Sequence, residues 1–400
     1  MAKKQLRLGV AGLGRAFSLM LPTLVADPRI RIAAGADPRA EARAQFERDF
    51  DAKTFADVEA MCASPDIDAI YISTPHQYHR ANVESAARHG KHALVEKPMS
   101  LSIDDCLAMI AAAERGNIHL VVGHSHSFDQ PIIRTRRLIG SGDYGRLRMI
   151  NALQFTDFLY RPRRPEELNT QQGGGVIFNQ APHQVDNVRM VAGTCATSIR
   201  AMIGQWDATR PTEGAYQAFL SFEDGVTASL SYNGYAHFDS DEFCDWIAES
   251  GLRKDASRYG ATRAALKGVG ANAEVEMKNR LNYGGSAYKP PHGDGSATRW
   301  HQHFGLLIAS CDQGDLRPQP HGIWIYGDEE RRFEDLPAPG IPRVEVMDEL
   351  CAAVFENRKP LHDGFWALAT MEICFAMLQS AREQKEIKLA HQIGVDGDRL

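Results

Sequence analysis

Cysteine pairing is the first thing this sequence lacks. Its seven cysteines (Cys62, Cys106, Cys195, Cys244, Cys311, Cys351 and Cys374) are scattered, odd in number and never form a C-x-x-C pair. That argues against a disulfide framework and a cysteine-rich zinc module, and predicts reduced thiols in a cytoplasmic compartment. No run approaches the ~20 apolar residues that a bilayer-crossing helix needs. The opening Met-Ala-Lys-Lys leads into a short apolar stretch without a signal-peptide cleavage site, so no membrane partner is expected. Excess positive charge is also missing. Against 45 Lys and Arg stand 51 Asp and Glu, a formal charge of -6, which gives no general attraction for nucleic acid. The close histidine pairs, His124-Ser125-His126 and His301-Gln302-His303, lack the i, i+4 spacing and flanking cysteines of a zinc motif, so no metal is expected.

What is present is an ordinary globular composition, 44% hydrophobic and 24% charged, in a chain of 400 residues, long enough for two domains. In the first third, short apolar runs over 6–11, 30–36, 53–54, 68–73, 92–96 and 119–123 alternate with helical patterns over 19–26, 40–50, 57–63, 80–89 and 103–114. This alternation predicts a parallel sheet covered by helices on both faces. From Leu147 the pattern changes to strands in hairpin order, over 147–155, 197–205, 215–222 and 226–232. The last two are joined across Glu223-Asp224-Gly225, a hairpin signal. Residues 252–297 read as an irregular basic insertion containing Arg253, Lys254, Arg258, Arg263, Lys267, Lys278, Arg280 and Lys289. A strand pair over 323–326 and 331–333, helices over 344–356 and 365–384, and a polar tail follow.

Gly12-Leu13-Gly14 falls between the first strand and its helix. The first glycine permits a tight turn, and the second lets the backbone approach a pyrophosphate, which then faces the helix start at Arg15, Ala16 and Phe17. Phe17 stands where a third glycine is usual, so a structural turn without a ligand is the competing reading. At the end of the second strand, Asp37 is placed to accept hydrogen bonds from ribose hydroxyls and to repel a 2′-phosphate. Arg39 offers partial compensation for such a phosphate. NAD is therefore expected ahead of NADP.

The ordered segments Ser73-Thr74-Pro75-His76 through His79, Gly90-Lys91-His92 through Glu96-Lys97-Pro98, and Gly173-Gly174-Gly175 through His183 to Asp186 resemble the glucose–fructose oxidoreductase/inositol dehydrogenase (Gfo/Idh/MocA) family. The resemblance implies an α/β fold class: an N-terminal Rossmann doubly wound parallel sheet (1–127, NAD-binding) and a C-terminal α+β domain with a large, mainly antiparallel open sheet (128–400, substrate binding and oligomerisation). It implies NAD contacts from Thr74, Pro75, His79, Glu96 and Lys97, a proton-moving role for Lys97 and His183, and a homo-oligomer. Where the family carries an aspartate, this chain has Asn179, which cannot ionise. It is expected instead to meet a substrate hydroxyl, and Asp186, one turn beyond His183, to orient that ring. His126 stands where the family usually has a different polar residue and is read as lining an altered substrate pocket.

The loop Tyr160-Arg161-Pro162-Arg163-Arg164-Pro165-Glu166 holds three arginines suited to bidentate pairing with carboxylates. A solvated basic loop is the alternative. With the histidine-rich segment, this loop resembles the branch of phthalate 4,5-cis-dihydrodiol dehydrogenases, which implies a small carboxylated ring substrate. A sugar or cyclitol dehydrogenase and a non-catalytic NAD-binding regulator remain as alternatives.

Overall fold

The computed structural model describes residues 5–288 and 299–400, so Lys289 and the end of the basic insertion lie outside the described residues. The described chain forms two compact units. One is made of residues 5–124, 275–288 and 341–368, the other of 125–274, 299–340 and 369–400.

The first unit is built on strands β1 (Leu6–Ala11), β2 (Ile30–Ala36), β3 (Lys53–Phe55), β4 (Ala69–Ile72), β5 (His92–Val95) and β6 (Leu120–Val122). Every pairing is parallel, and the order is β3-β2-β1-β4-β5-β6, that of a doubly wound dinucleotide fold. Helices α1 (Arg15–Ala26), α2 (Ala40–Phe50), α3 (Val58–Cys62), α4 (His79–Arg88) and α5 (Ile103–Arg115) make the connections. Strands covered on both faces need not alternate, and β4 is accordingly buried at every residue. Helix α1 begins at Arg15, four residues ahead of the apolar pattern, because Gly14 serves as its N-cap.

The second unit contributes α6 (Gln130–Ser141), β7 (Leu147–Phe155), α7 (Gly175–Asn179), α8 (Ala181–Ala192), β8 (Ala196–Gly204), β9 (Ala215–Phe222), β10 (Thr227–Asn233) and α9 (Ala261–Leu266). Helix α10 (Ala271–Leu281) carries the chain into the first unit, and β11 (Leu306–Cys311), β12 (Gly314–Gln319), β13 (Gly322–Tyr326) and β14 (Arg331–Asp335) belong to the second again. Finally come α11 (Val344–Glu356), α12 (Gly364–Glu383) and β15 (Ile387–Lys388). The second sheet runs β14-β13-β12-β11-β7-β10-β9-β8-β15. It is antiparallel except where β10 lies parallel to β7. Gly225 at φ +83 turns the β9–β10 hairpin, as the Asp-Gly signal predicts.

Three departures from the sequence expectation have physical causes. The insertion is not wholly irregular: α10 forms although it has little apolar surface, and its Glu274 is fixed by a buried ion pair with Arg210 at 2.7 Å, a partner 64 residues away. The β11–β12 hairpin goes unpredicted because β12 contains Pro318, a residue that argues against a strand. The polar tail supplies β15, which pairs with β8 at the sheet edge. Among the described residues, no helix is long and apolar enough to cross a membrane.

Candidate active site

In the first unit the carboxyl ends of β1, β2, β4 and β5 present the motif residues. Gly12 adopts φ +86, and a Cβ there would lie 2.8 Å from the Thr74 amide nitrogen, so only glycine lets the turn pass the end of β4. Around Gly14 the reverse holds: a Cβ would meet nothing within 4 Å. The space is open beside the first turn of α1, whose amides lack acceptors inside the helix. Arg15 is exposed, Ala16 half-buried. Phe17 is fully buried and packs edge-on against Tyr283 at 5.1 Å and tilted against Phe46 at 5.9 Å. The missing third glycine is thus an aromatic core position, and the turn at Gly12 and Gly14 is intact.

Asp37 is 6% exposed. Its carboxylate accepts from the Leu13 amide at 2.8 Å and from Arg39 Nε at 3.0 Å. Arg39 also donates to the Leu13 carbonyl at 2.7 Å. The acid and the arginine therefore clamp the glycine turn from the end of β2.

His79 differs from its expected role. Nδ1 lies 3.1 Å from the Pro98 carbonyl, and Nε2 lies 3.0 Å from the Thr74 carbonyl. The buried ring lies between the loop after β4 and the Glu96-Lys97-Pro98 segment, and when neutral its single N–H donates to one of these two sides. Burial pushes its pKa down to about 4, which leaves it neutral near pH 7. Thr74 and Pro75 stay partly or fully exposed on that loop, and the Thr74 hydroxyl is oriented by Asn82 at 2.9 Å. Glu96 accepts a 2.5 Å hydrogen bond from the Tyr71 hydroxyl; burial pushes its carboxyl up, against that bond and the charges of Arg343 and Lys97. Lys97 is half-buried just past the end of β5.

In the second unit the Gly173-Gly174-Gly175 turn feeds α7. At Gly175, φ is +76 and a Cβ would collide with the Glu213 carboxylate. Glu213 binds Thr170 and Thr212 and accepts from the Ile177 amide at 3.3 Å, so it anchors the helix start. Asn179 donates from Nδ2 to the carbonyls of Gly173 at 3.1 Å and Gly175 at 2.7 Å. Its amide nitrogen closes this turn, whereas the sequence suggests a substrate hydroxyl as the partner of Asn179.

Helix α8 is buried at all 12 residues. Here His183 meets His126 edge-on at 4.8 Å between ring centroids, and both rings lean on Phe304, at 5.3 and 5.5 Å. Asp186 turns away from the expected pairing with His183. It accepts from Ser127 at 3.2 Å and from Thr370, and sits 3.6 Å from the buried Arg189. His126 Nδ1 is 2.7 Å from Asp129. Burial opposes charge on this ring, but Asp129 and Glu249 outweigh it and raise its pKa. Phe304, Glu249, Asp129 and Glu213 carry no motif and were missed by sequence reasoning.

The arginine loop is split by the fold. Arg163 has its side chain only 9% exposed, lies over the Phe158 ring at 3.8 Å and donates to the Phe158 carbonyl at 2.7 Å. Burial pushes its pKa down to about 10. It is a packing residue, in contrast to the expected carboxylate clamp. Arg161 is exposed and Arg164 half-exposed.

A doubly wound sheet with a glycine turn open to a pyrophosphate, followed by Glu96-Lys97-Pro98, defines a nucleotide-dependent oxidoreductase. The comparisons give the family. Residues 6–124 match the oxidoreductase family model with an NAD-binding Rossmann fold, and residues 132–251 match the GFO/IDH/MocA C-terminal domain. The chain is 45% identical over 381 residues to 1-carboxy-3-chloro-3,4-dihydroxycyclohexa-1,5-diene dehydrogenase of Comamonas testosteroni, covering 95% of this chain and 96% of that one. A crystal structure from Bordetella bronchiseptica RB50 superposes with a TM-score of 0.88 at 39% identity, over 96% of this chain and 100% of the other. The WlbA dehydrogenase of Bordetella pertussis, solved with NADH and UDP-GlcNAcA, shares the fold with a TM-score of 0.67 at 18% identity, over 97% of this chain and 99% of that one. The chain belongs to the GFO/IDH/MocA family and is an NAD-binding oxidoreductase.

Proposed function

We propose that this enzyme oxidises a carboxylated ring cis-dihydrodiol to a catechol, with the cis-4,5-dihydrodiol of phthalate as the specific substrate and 4,5-dihydroxyphthalate as the product. The observation that carries the reading is the near full-length likeness to a dehydrogenase whose name specifies a carboxylated dihydroxycyclohexadiene. Bound NAD supplies the hydride acceptor. One carbinol C–H bond breaks with its electron pair leaving as hydride, and the hydroxyl proton passes to Lys97 or His183. The resulting ketone enolises, moving the remaining carbinol C–H proton to oxygen, and aromatisation makes the sequence effectively one-way.

For the cofactor, Gly12, Gly14 and the first turn of α1 at Arg15, Ala16 and Phe17 are assigned to the pyrophosphate, Asp37 with Arg39 to the ribose end, and Thr74, Pro75, Glu96 and Lys97 to the loop edge. His79 supports that edge from behind. Arg161 and Arg164 are assigned to the substrate carboxylate, with His126 lining the same pocket and Asn179 and Asp186 holding its walls. Met202, Trp206 and Phe219, 65–69% exposed on the second sheet and its margin, support assembly into a homo-oligomer. The nucleotide is assigned to residues 1–127 apart from His126, and the substrate to those of 128–400 that lie in the second unit.

The test is NADH formation at 340 nm with the phthalate diol, a monocarboxylated cis-dihydrodiol, an uncarboxylated one, inositol and a hexose. Turnover restricted to carboxylated diols is expected, with kcat falling by about 10²–10⁴ in Lys97→Ala. Turnover of inositol or the hexose alone would give the site to a sugar or cyclitol dehydrogenase, and NAD binding without turnover of any of them would indicate a regulator.

A further inference from the structure

One donor atom each of His126, His183 and Glu249 lies within 4.8 Å of the other two. All three belong to the second unit, although 57 residues separate the two histidines in sequence and 66 separate His183 from Glu249. We propose that they form a site for a divalent transition-metal ion of the zinc class, in a family module where no sequence spacing announces one.

Two imidazoles and a carboxylate are the donor set that borderline cations such as Zn²⁺ select. Asp129 supplies the second requirement. Its 2.7 Å contact to His126 Nδ1 holds the N–H on that nitrogen, so an ion that displaces the Nε2 proton meets the tautomer found in carboxylate–histidine–metal arrangements. Nε2 then points at Glu249, with 3.5 Å between nitrogen and oxygen. That separation is long for an N–H···O hydrogen bond. Two ligands bound at ~2.1 Å and a tetrahedral angle stand about 3.4 Å apart, so it suits a shared ion.

The surroundings fit as well. The His126 side chain is 2% exposed while that of Glu249 is 32% exposed. Buried imidazoles are therefore paired with a partly exposed carboxylate that has room to adjust to an ion. Phe304 forms a dry wall against both rings. Three protein ligands leave a fourth position open to water or a substrate oxygen. A bound ion takes the His183 ring out of proton exchange, so occupancy and a proton-accepting role for His183 exclude each other.

Tag-free full-length protein, stripped with a chelator, is titrated with Co²⁺ by visible absorption and then competed with Zn²⁺. The expected result is one ion per chain, with d–d bands of a low-coordinate nitrogen and oxygen site that Zn²⁺ abolishes. Glu249→Gln and His126→Ala should remove the bands, and Asp129→Asn should weaken binding by about 10–100-fold. Circular dichroism checks that each variant is folded, and Glu249→Gln, at a partly exposed position, keeps the test decisive should His126→Ala fail to fold. Absence of stoichiometric binding, or unchanged affinity in Glu249→Gln, would overturn the site. Neither result bears on which diol is oxidised, so this test stands apart from that of the substrate.

Discussion

The two units solve the problem of holding a ligand in different ways. In the first, the candidate site is made mostly of backbone: the turn at Gly12 and Gly14, the Leu13 amide on Asp37, and the carbonyls of Thr74 and Pro98 on either side of His79. In the second it is made of side chains that hold other side chains. Asp186 gathers Ser127, Thr370 and Arg189; Glu274 gathers Arg210 and the Arg163 amide; Glu213 gathers Thr170 and Thr212. A backbone site tolerates loss of most side chains and is intolerant of added ones. A side-chain network has the opposite sensitivity.

The largest expected stability effect tests the second half of that contrast. Asp186→Ala leaves the Arg189 guanidinium, which is 2% exposed, without its carboxylate and strips an acceptor from two buried hydroxyls. Arg189 keeps its hydrogen bonds to the Thr370 hydroxyl and the Ile393 carbonyl, but removing one partner of a buried charge pair costs about 3–5 kcal/mol, read as a fall in the urea midpoint at unchanged slope. A loss under about 1 kcal/mol would mean that the network is not what holds α8.

His79 is a buried side chain on which the backbone site of the first unit leans, and its titration sharpens the comparison. The folded ring titrates at about 4 against an unfolded value near 6.5. A folded pKa below the unfolded one gives stability that is complete above pH 6.5 and is lost as pH falls toward 4, by up to about 3 kcal/mol. His79→Gln does not titrate. The stability gap between wild type and variant should therefore narrow from pH 7 to pH 4 in paired urea titrations, and a constant gap would show that the ring carries no such linkage.

The same division explains what the sequence made legible. The parallel strand order, the Gly12 turn and the Glu96-Lys97-Pro98 edge depend on residues close in sequence, so spacing reveals them. Arg163 reads as a carboxylate clamp because residue type alone does not reveal that its guanidinium packs on the Phe158 ring, or that Glu274 of α10 holds its backbone amide. Asp186 reads as a partner for His183 because helical spacing puts them on one face, but Thr370, 184 residues distant, takes its oxygen instead. The His126, His183 and Glu249 cluster is invisible to any spacing rule for the same reason. Phe17 misleads in the other direction: it breaks the fingerprint yet fills the core with Tyr283, and the space beside Gly14 stays open.

The smallest expected effect on stability is the most telling about the backbone site. Gly14 has φ -99, which alanine adopts without strain, and an added methyl would meet nothing within 4 Å. Gly14→Ala should therefore change stability by less than about 1 kcal/mol. Yet the methyl would occupy the space through which the backbone meets the pyrophosphate, so the Kd for NADH, followed by fluorescence, should rise well beyond what the stability change implies. Gly12→Ala is the contrasting partner. Its φ of +86 and the backbone atoms of Ser73 and Thr74 within 2.9 Å add strain of about 1–3 kcal/mol to the fold itself, so stability and NADH affinity should fall together. If Gly14→Ala bound NADH normally, the open space beside α1 would not be the pyrophosphate site, and the assignment of the glycine turn to the cofactor would fail while the fold stood unchanged.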